Sequence, residues 1–152
     1  MDRKTMFRSH MTHDFIEKKL ARAFIDSVVS HPDTFIDLIH PEDEMYIHAR
    51  AMEPKKEFTS YSYFNSGREC YLSLDNLLRQ LGRSLSTVGS LLDFACGYGR
   101  VTRYIVQAMP AQNIWVSDIY TGAVDFQREK FHVNGFYSHT EPDQVKFPKR
   151  FD

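Results

Sequence analysis

Two aspartates and two glycines are the residues best placed for chemistry in this chain of 152 residues. Asp93 closes one apolar run and is followed by Gly97 and Gly99, while Asp118 closes a second run at 114–116. Glycines allow a tight turn and the close approach of backbone to a ligand. A carboxylate at the end of a strand can accept hydrogen bonds from the hydroxyls of a ribose. The pattern therefore indicates a site for a ligand that contains a nucleotide.

The elements that must position these residues alternate between strand and helix. A strand ends at Asp93, and later strands are predicted at 114–116 and 136–138. Between them, helices are predicted at 100–109, where Val101, Tyr104 and Ile105 follow helical spacing, and at 121–131, with Thr121 as candidate N-cap. Alternation of this kind predicts an α/β fold with a parallel sheet, in which ligands bind at the carboxyl ends of the strands.

The segment Leu92-Asp93-Phe94-Ala95-Cys96-Gly97-Tyr98-Gly99-Arg100 resembles the first motif of class I S-adenosylmethionine-dependent methyltransferases. This resemblance, which covers about 88–152, implies a Rossmann-like sheet whose first three strands are present, with S-adenosylmethionine as cofactor. It implies that the Gly97 to Gly99 backbone packs beside the methionine part of the cofactor, which Asp93 orients. It also implies that Asp118 accepts from both ribose hydroxyls. The cofactor-binding residues that it implies are Asp93, Ala95, Cys96, Gly97, Tyr98, Gly99, Asp118 and Ile119.

The chain departs from the family pattern at two places. Ala95 stands where the family more often has glycine, and an alanine there is expected to keep a negative φ. After the third strand the family usually offers an acid or amide to the amino group of adenine, whereas this chain reads Ser138-His139-Thr140-Glu141.

Residues 1–87 are predicted to form a helical N-terminal cap on the partial cofactor-binding domain at 88–152. Helices are expected at 14–29, where Asp14 and Glu17 suggest a variant capping box, and at 68–81. The segment from Tyr61 to Arg68 resembles one that crosses the cofactor pocket in some methyltransferases, which makes Arg68 a candidate to bind the cofactor carboxylate. The interpretation that we favour is that its aromatic residues belong to the core and that Ser66 caps the next helix, because serine is common before a helix.

The resemblance also implies a larger sheet than this chain supplies. Residues 150–152 would begin a fourth strand, so the expectation is a truncated methyltransferase whose catalytic residues lie elsewhere and cannot be named. The strand that ends at Asp93 would then have an open edge, through which the chain could self-associate.

The composition of the chain limits which kinds of methyl acceptor and which cellular compartment are expected. A net charge of −1 gives no strong nucleic-acid signal, which favours a small-molecule or glycan methyl acceptor. Seven scattered histidines and two cysteines suggest neither a metal site nor a disulfide framework, and the sequence contains no signal peptide or apolar run of membrane-spanning length. A cytoplasmic setting is therefore expected.

The predicted function is that of a cofactor-binding half of an S-adenosylmethionine-dependent methyltransferase. Two alternatives stay open. The first is a non-catalytic methyltransferase-like binding module. The second is an NAD-dependent oxidoreductase, which is disfavoured because Thr102 stands where a dinucleotide-binding motif has its third small residue.

Overall fold

A parallel sheet of three strands follows a helical region in the computed structural model, which describes residues 3–152, with side chains from residue 13 onward. The strands are β1 (Leu91–Phe94), β2 (Ile114–Asp118) and β3 (Asn134–Tyr137). Their order is β1-β2-β3, so β2 lies in the centre with parallel neighbours on both sides. The predicted α/β class and parallel sheet are confirmed.

Five α-helices surround or precede the sheet in the described residues. They are α1 (Arg3–Val28), α2 (Glu44–Met52), α3 (Thr59–Gln80), α4 (Thr102–Ile105) and α5 (Thr121–Phe131). Short 3₁₀ turns occur at Pro32–Thr34, Lys56–Phe58, Leu85–Thr87, Ala111–Asn113 and Pro142–Gln144. The helix predicted at 121–131 is confirmed, whereas the one predicted at 100–109 has only one regular turn.

Two predicted helix starts are wrong. The capping box at Asp14 and Glu17 does not form, because both residues lie inside α1. Glu17 is instead buried, and its carboxylate accepts hydrogen bonds from the Ser60 amide at the start of α3 and from the Tyr46 hydroxyl. Ser66 is not a cap either, since α3 already begins at Thr59.

The hydrophobic core has two parts. One lies in the helical region, where α1 contributes Ala21, Phe24 and Ile25 to a cluster with Tyr63 and Phe64 of α3. The other lies between the sheet and its helices and is centred on Ile114 and Val116 of β2, which are fully buried because this strand has neighbours on both edges. Tyr71 of α3 packs against both clusters and links them.

The end of the described chain lies on the other face of the sheet and covers it in part, since Phe94 and Phe147 stay more than half exposed. Phe147 packs against Phe94 of β1 and Phe136 of β3, and Phe151 packs against Trp115 of β2. The Asp152 amide donates to the carbonyl of Ser90, at the amino end of β1. Residues 145–152 therefore run along this face from the carboxyl ends of the strands, where Val145 and Phe147 line a cleft, to the amino end of β1.

A search of the described residues finds no helix that combines the length and the apolar character needed to cross a membrane.

Candidate functional site

The loop that joins β1 to α4, residues 95–100 and hereafter the glycine loop, has an unusual backbone. Ala95, Gly97 and Gly99 have φ values of 56°, 51° and 81°, in the left-handed region that favours glycine. The expectation of a negative φ at Ala95 is therefore wrong. At Gly99 a side chain is also excluded by space, because a Cβ atom there would lie 2.3 Å from a ring carbon of Phe131.

Asp118 ties the glycine loop to the end of β2. The residue is only 7% exposed, and its carboxylate accepts two backbone hydrogen bonds, from Gly97 at 2.8 Å and from Tyr120 at 3.0 Å. The second bond lies at the start of α5, whose N-cap is Tyr120 and not the predicted Thr121. Asp118 therefore fixes the relative positions of the loop, β2 and α5 with one side chain.

Asp93 lies under the glycine loop and contacts α4. Its carboxylate accepts a hydrogen bond of 2.7 Å from the hydroxyl of Thr102, which is fully buried. Desolvation raises the pKa of Asp93 above its ordinary value, although the bond from Thr102 opposes that shift. The residue lines a groove of about 310 Å³ beside β1, together with Leu74, Leu78 and Val101 among others.

A larger cleft of about 710 Å³ opens at the carboxyl ends of all three strands. Most of the side chains that line it are apolar or aromatic, and its carboxylate is that of Asp118. The lining residues are Phe94, Ala95, Asp118, Ile119, Tyr120, Ser138, His139, Thr140, Pro142, Val145 and Phe147. Within the described part of the chain, the buried hydroxyl of Ser138 has no hydrogen-bond partner. The cleft therefore offers an apolar cavity with few polar groups, as small-molecule sites do.

The structure brings three of the predicted site residues, Ala95, Asp118 and Ile119, to this cleft. Cys96 and Tyr98 of the loop are buried, and burial raises the pKa of the Cys96 thiol, as expected of a packing residue and not of a nucleophile.

The Tyr98 side chain points to the helical region. Its hydroxyl donates to Glu42 at 3.1 Å, and its ring stacks on His40 at 4.3 Å between ring centres.

Arg68 does not lie at the cleft. It lines a separate cavity of about 130 Å³ with Tyr104 and Gln107, and the two cavities share no lining residue. The reason is that α3 extends through the whole 61–68 segment, so the resemblance that made Arg68 a candidate does not place it at the cleft.

Two residues that matter to the loop were missed by the sequence reasoning. Gln127 is fully buried, and its amide nitrogen donates to the carbonyls of Gly97 at 2.7 Å and Cys96 at 3.4 Å. The sequence could have indicated the burial of Gln127, because it follows Ala123 by one helical turn on the buried face of α5. Arg103, also fully buried, donates to the Gly99 carbonyl at 3.0 Å, and nothing in the local sequence marks it.

Groups of three or more His, Cys, Asp or Glu side chains suited to a metal ion are absent from the residues that the structure describes. Comparison with protein-family models, curated proteins and solved structures finds no match for this chain. Its function must therefore be inferred from the cleft and the loop.

Proposed function

We propose that this chain binds S-adenosylmethionine in the 710 Å³ cleft and is the cofactor-binding part of a class I methyltransferase with a Rossmann-like fold. The observation that carries the proposal is the position of Asp118 at the end of the central strand. Each of its carboxylate oxygens accepts one backbone hydrogen bond and keeps a second lone pair. Two ribose hydroxyls are suitable donors for those positions.

The shape and lining of the cleft fit the rest of an adenosine group. Its volume lies in the range of about 300–1,000 Å³ that is usual for small-molecule sites. Ile119 and Phe147 supply apolar surface for a flat base.

The bound cofactor supplies an activated methyl group, and the residues of this chain bind and orient it. Asp118 holds the ribose, Ala95 brings the backbone of the glycine loop to the cleft, and the apolar walls exclude water from the adenosine. Holding an acceptor in line with the methyl group would then provide much of the acceleration. The net charge of −1 favours a small-molecule or glycan acceptor, because it gives no general attraction for a nucleic-acid backbone.

The test is calorimetric binding of S-adenosylmethionine and S-adenosylhomocysteine, with NAD as the competing class of ligand. Ile119→Ala removes apolar surface from the cleft at a residue that is 48% exposed, so it should weaken binding about fivefold while leaving the fold intact. Leu77→Ala is the matched control, because Leu77 is 54% exposed on α3 and does not line the cleft.

A folded chain that binds neither adenosyl ligand would refute the proposal and favour the non-catalytic module. Binding of NAD that is tighter than binding of both adenosyl ligands would instead favour the oxidoreductase. Equal losses of binding affinity in Ile119→Ala and Leu77→Ala would show that the ligand binds outside the cleft.

A further inference from the structure

Arg103 is an unusual residue for the interior of a protein. Its side chain is fully buried, and it follows the glycine loop on α4. A buried guanidinium is costly unless its donors are satisfied and its charge is balanced. The groups that meet these two requirements come from widely separated parts of the chain.

The guanidinium donates to backbone carbonyls on both sides of it. Its Nε donates to the Gly99 carbonyl at 3.0 Å, inside the glycine loop. Its Nη1 donates to the carbonyls of Ile36 at 2.8 Å and Leu38 at 3.3 Å, in the segment that precedes α2. One rigid side chain thus joins the loop to residues 36–38.

The negative charge that balances the guanidinium is the carboxylate of Asp43, which Arg103 contacts through the hydroxyl of Tyr63. The Nη2 of Arg103 donates to the Tyr63 hydroxyl at 3.3 Å, and that hydroxyl donates to the Asp43 carboxylate at 2.6 Å. Asp43 is buried and also accepts from the Tyr46 amide, where it caps α2. Burial raises the pKa of Tyr63, so its hydroxyl keeps the proton that it donates. The positive charge at the loop is therefore linked to the capping carboxylate of α2.

Further contacts show that the helical region packs directly on the loop. A Cβ atom at Gly67 of α3 would lie 2.2 Å from the Arg100 carbonyl oxygen, so the two backbones touch. The Arg100 side chain donates to the hydroxyl of Ser66, one residue earlier in α3, at 3.2 Å. A change in the position of α3 would therefore move the loop.

We infer that Arg103 is a positioning residue that sets the conformation of the glycine loop from the helical region, so that ligand affinity at the cleft depends on residues 36–38 and on Tyr63. The dependence of affinity rests on the proposed function, whereas the positioning of the loop can be measured without ligand. No atom of Arg103 needs to touch the ligand for this role. Its effect passes through the Gly99 carbonyl.

The experiment measures hydrogen exchange of loop amides and S-adenosylhomocysteine affinity in the same 152-residue proteins. Arg103→Lys keeps the charge but cannot reach all of these acceptors at once. Loop exchange should rise at least about tenfold and affinity should fall by about the same factor, because charge-assisted hydrogen bonds are lost.

Tyr63→Phe is the second variant, needed if Arg103→Lys does not fold. It keeps Arg103 and removes one hydroxyl, and it should give a smaller change with the same pattern. Ile25→Val is the control, since Ile25 is fully buried in the helical cluster and its side chain has no group that could join this hydrogen-bond network.

Loop-selective exchange together with weaker binding supports the inference. Loop-selective exchange in proteins that never bind the ligand, the parent included, supports the role of Arg103 but refutes the proposed function. A parent that binds, with variants whose exchange rises evenly as in Ile25→Val and whose affinity is unchanged, overturns the inference and leaves the proposed function standing.

Discussion

Replacing Ala95 with glycine should stabilise the protein, although the same change destabilises most proteins. Ala95 is solvent-exposed and has a φ of 56°, in the left-handed region. An L-residue with a Cβ atom pays about 1–2 kcal/mol to adopt this conformation. Glycine does not pay this cost but loses about 0.4–1 kcal/mol more through the greater freedom of the unfolded chain. The expected net gain for Ala95→Gly is therefore about 0.5–1 kcal/mol.

Ala23→Gly is the matched control because Ala23 is also exposed but lies inside α1. Glycine costs about 1 kcal/mol relative to alanine in a helix interior, so the two substitutions should change stability with opposite signs. His132→Gly should share the sign of Ala95→Gly, because His132 ends α5 with a φ of 56°.

The assay is urea unfolding at pH 7, followed by circular dichroism. Ala95→Gly should raise the midpoint by about 0.4 M and Ala23→Gly should lower it by a similar amount, with the slope unchanged in both. A midpoint for Ala95→Gly that falls as far as the control would refute the reasoning. It would mean that the alanine methyl makes a stabilising contact that outweighs the left-handed backbone.

Three further outcomes are expected. Gly67→Ala should lower the free energy of unfolding by about 2 kcal/mol, despite the better helix propensity of alanine, because its Cβ atom would meet the Arg100 carbonyl. The control is Ser73→Ala on the exposed side of the same helix, which should lower the free energy of urea unfolding by under about 0.5 kcal/mol. Gln127→Glu should cost about 3 kcal/mol or more at pH 7, because a carboxylate cannot donate to the loop carbonyls, and a titration to acid pH should recover part of the loss. Burial raises the pKa of Asp93, so its ionisation lowers the free energy of unfolding of the parent as the pH rises above about 4. Asp93→Asn should therefore become more stable relative to the parent over that range. A difference in unfolding free energy between the two proteins that does not change with pH would contradict this.

Much of the sheet region could be predicted from the sequence because its signals are local. The apolar run of β2 ends at Asp118, and α5 occupies 121–131 as expected. The helix predicted at 100–109 fails for an identifiable reason. After Ile105 the chain continues in tighter turns, with the Gln107 amide bonded to Tyr104, and the i, i+3 spacing of apolar residues fits such turns as well as an α-helix.

The contacts that shape the loop could not be predicted because they join residues far apart in the chain. Arg103 donates hydrogen bonds to carbonyls at 36–38 and to the hydroxyl of Tyr63. Its burial could not be predicted, because a charged residue between the apolar positions of a helix ordinarily faces solvent. The left-handed conformation of Ala95 could not be predicted from the sequence either. Alanine in place of glycine indicates a negative φ, yet the bonds from Gly97 to Asp118 and from Gln127 to the loop hold the backbone in the left-handed region.

The short α4 changes which class of ligand the loop favours. A pyrophosphate, as in NAD, gains from the amides and dipole of a long helix after the glycine turn, and α4 has only four residues. The nearby arginines offer little compensation, since Arg103 is buried against carbonyls and Arg100 is bonded to α3. Asp93 and Asp118 flank the same turn with carboxylates. A ligand with a cationic sulfonium and no phosphate therefore suits the proposed site better than a dinucleotide. Because Asp118, the carboxylate at the cleft, is only 7% exposed, added salt should screen it little and should leave the preference for an adenosyl ligand over NAD nearly unchanged.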